Sequence, residues 1–244
     1  MGLDFDLGGK VAVVTGSGSG LGRDIALRLA EQDVRVVLAG RRIDALTEVA
    51  DIIRGGGKEA ETIVTDVMKT EDVKNLMRET VERYERIDFL VCNSGVSNPS
   101  LVKDMTEEQW DTVLNTNLKG TFLCCREAIQ YMIERDFGRI VNIASVAAYG
   151  GWRTRANYCS SKHGMLGFTR TLSGEVIENN IRVNTVAPGL ISSGVGEKLR
   201  NANPELFDHM ESLIPMKRAG RPEEISYAVL FLLSEASSFI VGET

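Results

Sequence analysis

Histidine is nearly absent from this chain: His163 and His209 are the only two in 244 residues. Neither has a neighbour that would orient an imidazole as a base, which removes a serine–histidine hydrolase from consideration. Cysteine is scarce too, at 92, 124, 125 and 159, with no Cys-x-x-Cys and no histidine at ligand spacing. No metal is therefore expected, and the four cysteines read as buried free thiols in a reducing cytoplasm. Positive charge is not in excess. A net charge of −6 and a pI near 5.2 argue against nucleic acid or an anionic membrane as the main partner. No apolar run approaches the ~18 residues of a membrane span. The opening Met1-Gly2-Leu3-Asp4-Phe5-Asp6 lacks the basic and apolar regions of a signal peptide, and Asp6 stands where myristoylation wants Ser or Thr. Repeats, low-complexity stretches and linkers are also missing, so one domain over 1–244 is expected.

What is present is the composition of a globular α/β protein, 43% hydrophobic and 25% charged. Strand-like runs at about 10–15, 34–39, 60–65, 87–92, 139–144 and 181–187 alternate with helical patterns. Those fall at about 21–32, 43–54, 70–84, 106–135, 158–178 and 222–234. The alternation implies a single-domain, doubly wound parallel sheet of Rossmann type with helices on both faces. From about 189 to 221 the pattern loosens around Gly189, Gly194, Gly196, Pro204, Pro215 and Gly220. Lying beside the ligand-binding rim, that segment reads as a substrate lid.

The residues just after the strands carry the chemistry. Gly16, Ser17, Gly18, Ser19, Gly20, Leu21 and Gly22 follow the first strand and open the first helix. Glycines there let backbone amides at a helix N-terminus cradle a pyrophosphate, although the spacing is Gly-x-x-x-Gly-x-Gly rather than Gly-x-Gly-x-x-Gly. Arg41 and Arg42 follow the second strand, where a free ribose hydroxyl would call for an acid and a ribose phosphate for a base, so NADP(H) is favoured over NAD(H). Asp66, followed by Val67, can accept from an adenine amino group or cap the next helix. Asn93-Ser94-Gly95 offers small residues for close approach to the cofactor, and Asn117 is a poor helix former inside a helical pattern. Ser145 ends the fifth strand without a base, which suits a hydrogen-bond donor to a carbonyl oxygen. Tyr158 and Lys162 lie one helical turn apart, so the ammonium should favour the phenolate and bring a proton within reach.

Together these residues resemble the classical short-chain dehydrogenase/reductase family from about residue 8 to the end. The likeness rests on Thr15-Gly16-x-x-x-Gly20-x-Gly22, Asn117, Ser145 and Tyr158-x-x-x-Lys162 in family order. It implies that Tyr158 exchanges the proton and that Ser145 steadies the substrate oxygen. Lys162 would hold the nicotinamide ribose and depress the Tyr158 pKa, and Asn117 would anchor a relay water. Pro188, Gly189, Ile191 and Ser193 would form the loop beside the nicotinamide carboxamide, with Ser193 where Thr is usual. The usual Asn-Asn-Ala-Gly is Cys92-Asn93-Ser94-Gly95 here, and the terminal Val-Asp-Gly-Gly strand is expected to be missing.

The chain resembles 3-oxoacyl-carrier-protein reductases in Pro215-Met216-x-Arg218-x-Gly220-x-Pro222-Glu223-Glu224, but Ser173-Gly174 replaces an Ala-Arg pair. Arg135 and Arg139 remain as contacts for an acidic carrier, and Trp152, Arg153 and Arg155 as candidates to wall a pocket or meet an anionic substrate. The expected reaction is hydride transfer between NADP(H) and a small-molecule ketone or secondary alcohol, carrier-linked or free. An NAD-dependent sugar, polyol or alcohol dehydrogenase is the alternative, and a non-catalytic dinucleotide sensor is the alternative of another class. A homo-oligomer, tetramer or dimer, is expected through the 106–135 and 158–178 helices.

Overall fold

The computed structural model describes residues 5–244, the side chain of Val195 excepted. Its frame is set by short β-branched runs with no polar face. In β1 (Val11–Thr15) every residue is buried, as in β4 (Phe89–Cys92) and β5 (Gly138–Ile143). Strands of that kind need cover on both sides. Along β1, Val11 and Val13 enter one core cluster, while Ala12 and Val14 enter the other. β2 (Arg35–Gly40), β3 (Ala60–Val64) and β6 (Ile181–Val186) complete a six-stranded, wholly parallel sheet in the order β3-β2-β1-β4-β5-β6.

Helices α1 (Gly20–Glu31), α2 (Ile43–Gly55) and α9 (Pro222–Leu233) cover one face. Helices α3 (Thr70–Tyr84), α5 (Gly120–Glu134) and α6 (Ala156–Val176) cover the other. The strand order reverses between β1 and β4, and that crevice at the carboxyl ends is where such sheets bind ligands. No helix among the described residues is long and apolar enough to cross a membrane.

Three expectations gain detail and a fourth fails. The helical pattern at 106–135 is α4 (Glu107–Leu114), one wide π turn over Asn115–Lys119, then α5. The 189–221 segment holds two helices, α7 (Val195–Ala202) and α8 (Pro204–Leu213). It leaves and rejoins the rim through a single parallel bridge, Ile191 to Gly220. No seventh strand forms among the described residues, yet the last ones begin to pair with β6: Gly242 N–H donates to Val183 O at 2.9 Å, and Thr185 N–H to Glu243 O at 2.8 Å.

Finally, Arg139 cannot meet a carrier. It is 3% exposed, donates to Asn180 O at 2.7 Å, and pairs with Glu235 at 2.8 Å. Its neighbour Arg182 caps the carbonyl end of α9 by donating to Leu232 O and Ser234 O. Burial drops the Arg182 pKa to about 10, with Arg139 adding to the fall.

Candidate active site

A cavity of about 700 Å³ runs along the carboxyl rim. Its floor is the turn after β1. Gly20 sits at φ +57°, where a side chain would be strained, and a Cβ on it would come within 3.0 Å of Gly194. At Gly22 a Cβ would fall 2.3 Å from Asn93 Nδ2 and 2.4 Å from Gly16 O, so only glycine lets α1 start this close to the strand.

The α1 N-terminus stays open to an anion, because Ser19 makes no side-chain cap and the first turn holds no acid. Ser19, Gly16, Gly20 and Leu21 line the cavity; Ser17 does not, being buried with its hydroxyl 3.4 Å from Ala39 O. A pyrophosphate group therefore fits here on charge and on shape.

Thr15, quoted in the motif without a role, joins two turns. Its Oγ1 accepts from Asn93 N at 3.0 Å and from Ser94 N at 3.1 Å. Asn93 Nδ2 then donates to Thr15 O at 3.0 Å and to Gly16 O at 3.2 Å, locking the glycine turn. Beyond β2, Arg41 and Arg42 are exposed on the cavity wall, and neither side chain makes a hydrogen bond or ion pair among the described residues. Asp66 and Val67 line the same end. Asp66 Oδ1 takes Met68 N at 3.0 Å, and it does not cap α3; instead Asp72 reaches back to Asp66 N at 3.0 Å.

Ser145, Tyr158 and Lys162 meet at the other end with Pro188, Gly189, Ile191 and Ser193. Ser145 Oγ accepts from Ala147 N at 3.2 Å, and Pro188 O takes Val146 N–H at 3.0 Å, which ties the two rim loops together. Neither histidine is near. His163 faces Cys159 O at 2.9 Å on the exposed side of α6.

The expected depression of the Tyr158 pKa is not found. Burial pushes that phenol up, against the opposing effects of its hydrogen bond with Ser145 and the charge of Arg155. The reason is where Lys162 points. Its Nζ donates to Ile143 O at 2.7 Å and lies 5.8 Å from the Tyr158 ring centroid. At 3% exposure, burial lowers the Lys162 pKa to about 8.

Asn117 is fully buried in the π turn and does not line the cavity. Its Oδ1 accepts from Val96 N at 2.8 Å, and its Nδ2 donates to Val96 O at 3.0 Å and Ser161 Oγ at 3.0 Å. The carboxamide thus pairs with the Val96 backbone much as a neighbouring strand would. Ser161 passes the contact on, donating to Tyr158 O at 2.7 Å.

Asn157, not singled out from the sequence, fixes the other end of the same loop. It donates to Asn98 O at 2.9 Å and Gln109 O at 3.1 Å, and it accepts Tyr158 N–H at 2.7 Å. A buried Asn directly before the tyrosine, in the first turn of a helix, is the signal that could have found it.

A family model described as enoyl-(acyl carrier protein) reductase matches residues 16–244. The chain is 37% identical over 240 residues to the 3-oxoacyl-[acyl-carrier-protein] reductase of Thermotoga maritima, covering 97% of this chain and 95% of that protein. It belongs to the short-chain dehydrogenase/reductase family. Members are NAD(P)-dependent enzymes, and so is this oxidoreductase.

Among solved structures, the short-chain type dehydrogenase/reductase of Mycobacterium marinum superposes with a TM-score of 0.92 at 34% identity, over 98% of this chain and 94% of that one. A Beutenbergia cavernae protein provisionally described as an NAD(P)-dependent gluconate 5-dehydrogenase, with NADP bound at low occupancy, gives 0.93 at 36%, over 99% and 96%.

Proposed function

We propose that this short-chain dehydrogenase/reductase interconverts a ketone and a secondary alcohol with NADP(H) in preference to NAD(H). The observation that carries the reading is the convergence of Ser145, Tyr158 and a deeply buried Lys162 on one end of a cavity whose other end has an uncapped helix N-terminus and two unpartnered guanidiniums. Gly16, Ser19, Gly20 and Leu21 would hold the pyrophosphate, Arg41 and Arg42 the ribose phosphate, and Asp66 the adenine. The loops Asn93–Gly95 and Pro188–Ser193 would hold the nicotinamide half. When bound, the nicotinamide supplies or accepts the hydride.

The chain's own work is proton transfer and orientation. Ser145 directs the substrate oxygen towards the phenol. Tyr158 gives up its proton as the carbonyl becomes an alcohol and recovers it from the alcohol in reverse. Lys162, whose ammonium donates to Ile143 O, would hold the nicotinamide ribose. Asn117 acts as a positioning residue for the Val96 loop.

A 3-oxoacyl substrate is favoured by the Thermotoga relative. A sugar or polyol acid is the second reading, favoured by Arg153 and Arg155 in the cavity wall and by the Beutenbergia structure. The reducing cytoplasm remains the proposed compartment. A homo-oligomer is proposed through α5 and α6, where Phe122 is 40% exposed and stacks edge-on with Phe168.

Tyr158→Phe tests the assignment. NADPH binding should survive, while carbonyl-dependent NADPH consumption falls by about 10²–10⁴. Turnover like that of the wild type would remove Tyr158 from the reaction.

A further inference from the structure

The cavity is far more basic than the protein that contains it. Six cationic side chains line it and a single carboxylate, Asp66, whereas the whole chain carries −6. Arg41 and Arg42 stand at the adenine end with Asp66, and Lys162 is committed to Ile143 O. That leaves Arg153, Arg155 and Lys198 at the substrate end, with no acidic side chain among the residues that line it.

Arg155 is the one built into the site. It is half-buried at the start of α6, and its guanidinium hydrogen-bonds the Ser97 hydroxyl. It makes no ion pair among the described residues, and its charge is felt at the Tyr158 hydroxyl. A guanidinium beside the proton donor, lining an end of the cavity that has no carboxylate, is a seat for an anion on the substrate itself. It is a poorer neighbour for the neutral thioester and alkyl chain of an acylated carrier, because a half-desolvated charge gains only one neutral acceptor from the first and nothing from the second.

We infer that Arg155, presented by Ser97, reads a carboxylate carried by the substrate a few bonds from its reacting carbon, so that the physiological substrates are free oxo acids and hydroxy acids. The inference rests on the proposed NADPH-dependent ketone reduction and names its substrate class. In the reductive direction the ketone is reduced to an alcohol at the expense of NADPH, which is oxidised to NADP⁺. The new hydroxyl takes its proton from Tyr158, and the carboxylate is unchanged. Arg153 and Lys198, exposed at the mouth, draw the anion in without fixing its position.

The test compares 2-oxobutanoate, 3-oxobutanoate and 4-oxopentanoate, each with its methyl ester, as substrates for NADPH consumption. Wild-type protein should prefer an acid over its ester in kcat/KM for at least one chain length. Arg155→Gln should lower that acid-to-ester ratio by about ten- to a hundred-fold, and Arg155→Lys, which keeps the charge, should restore much of it. Using the ratio cancels any effect of the substitution on Tyr158 or on the Ser97 loop. Equal use of acid and ester by the wild type, or a parallel fall of both in Arg155→Gln, would overturn the carboxylate seat while leaving ketone reduction standing. Loss of turnover with every ketone, acid and ester alike, in a protein that still binds NADPH would bring down the reductase reading and this inference with it.

Discussion

Replacing Asn117 with Ala separates two roles that its place in the family motif leaves merged. The residue is fully buried and spends its whole carboxamide on Val96 N, Val96 O and Ser161 Oγ, at 2.8, 3.0 and 3.0 Å. Each such bond contributes about 1 kcal/mol net, and a donor stranded away from water costs about 1–3. Val96 is only partly buried, so water can recover some of that loss. The sum is a destabilisation of about 2–4 kcal/mol, small side-chain cavity included. For a domain of this size that is a fall in Tm of about 5–15 °C. Asn117→Asp should do no better, since it sets a carboxylate oxygen against Val96 O in a buried place.

Differential scanning fluorimetry and NADPH-dependent turnover, measured on the same samples, check this. The strut reading requires both to fall, and turnover at a temperature well below the lowered Tm should fall through misplacement of Gly95 and Ser97. A variant as thermostable as the wild type but inactive would refute it and return Asn117 to a direct part in proton movement.

Two further outcomes are expected. Arg41→Ala should weaken NADPH about ten- to a hundred-fold while leaving NADH within about threefold; equal losses in fluorescence titration would take Arg41 out of phosphate recognition. Lys162 should leave a mark on alkaline stability. Its folded pKa of about 8 lies below the ordinary 10.5, so between those values the unfolded chain binds the extra proton and stability must rise with pH. Against Lys162→Met the wild type should gain about 2–4 kcal/mol across that window in denaturant unfolding, and parallel curves would show that the ammonium is not desolvated.

The sheet was legible because its strands are apolar without alternation, and the glycine turn because Gly22 tolerates no Cβ. Ser145 was legible just past the end of β5 and the Tyr158–Lys162 pair as one turn of α6, and all three line the same cavity. The direction of the Lys162 side chain was not: helical spacing puts two residues on one face, but the nearest carbonyl, Ile143 O, lies on a strand distant in sequence. The π turn, Asn-Thr-Asn-Leu-Lys, shows weak helix formers in sequence but not its wide winding, and in the structure Asn117 within it is tied to Val96. Arg139 looked like a surface arginine because its shelter, Asn180 O and Glu235, comes from segments well downstream.

The bridge from Ile191 to Gly220 gives the fold a modular seam. No residue between them enters either hydrophobic layer, so the outer part of the segment can drift, lengthen or be exchanged without rebuilding the sheet, provided Ser193 and Gly194 keep their place beside the glycine turn. New substrate preferences can thus evolve by swapping one appendage while the proton-handling residues, anchored on the strands and on α6, are inherited intact.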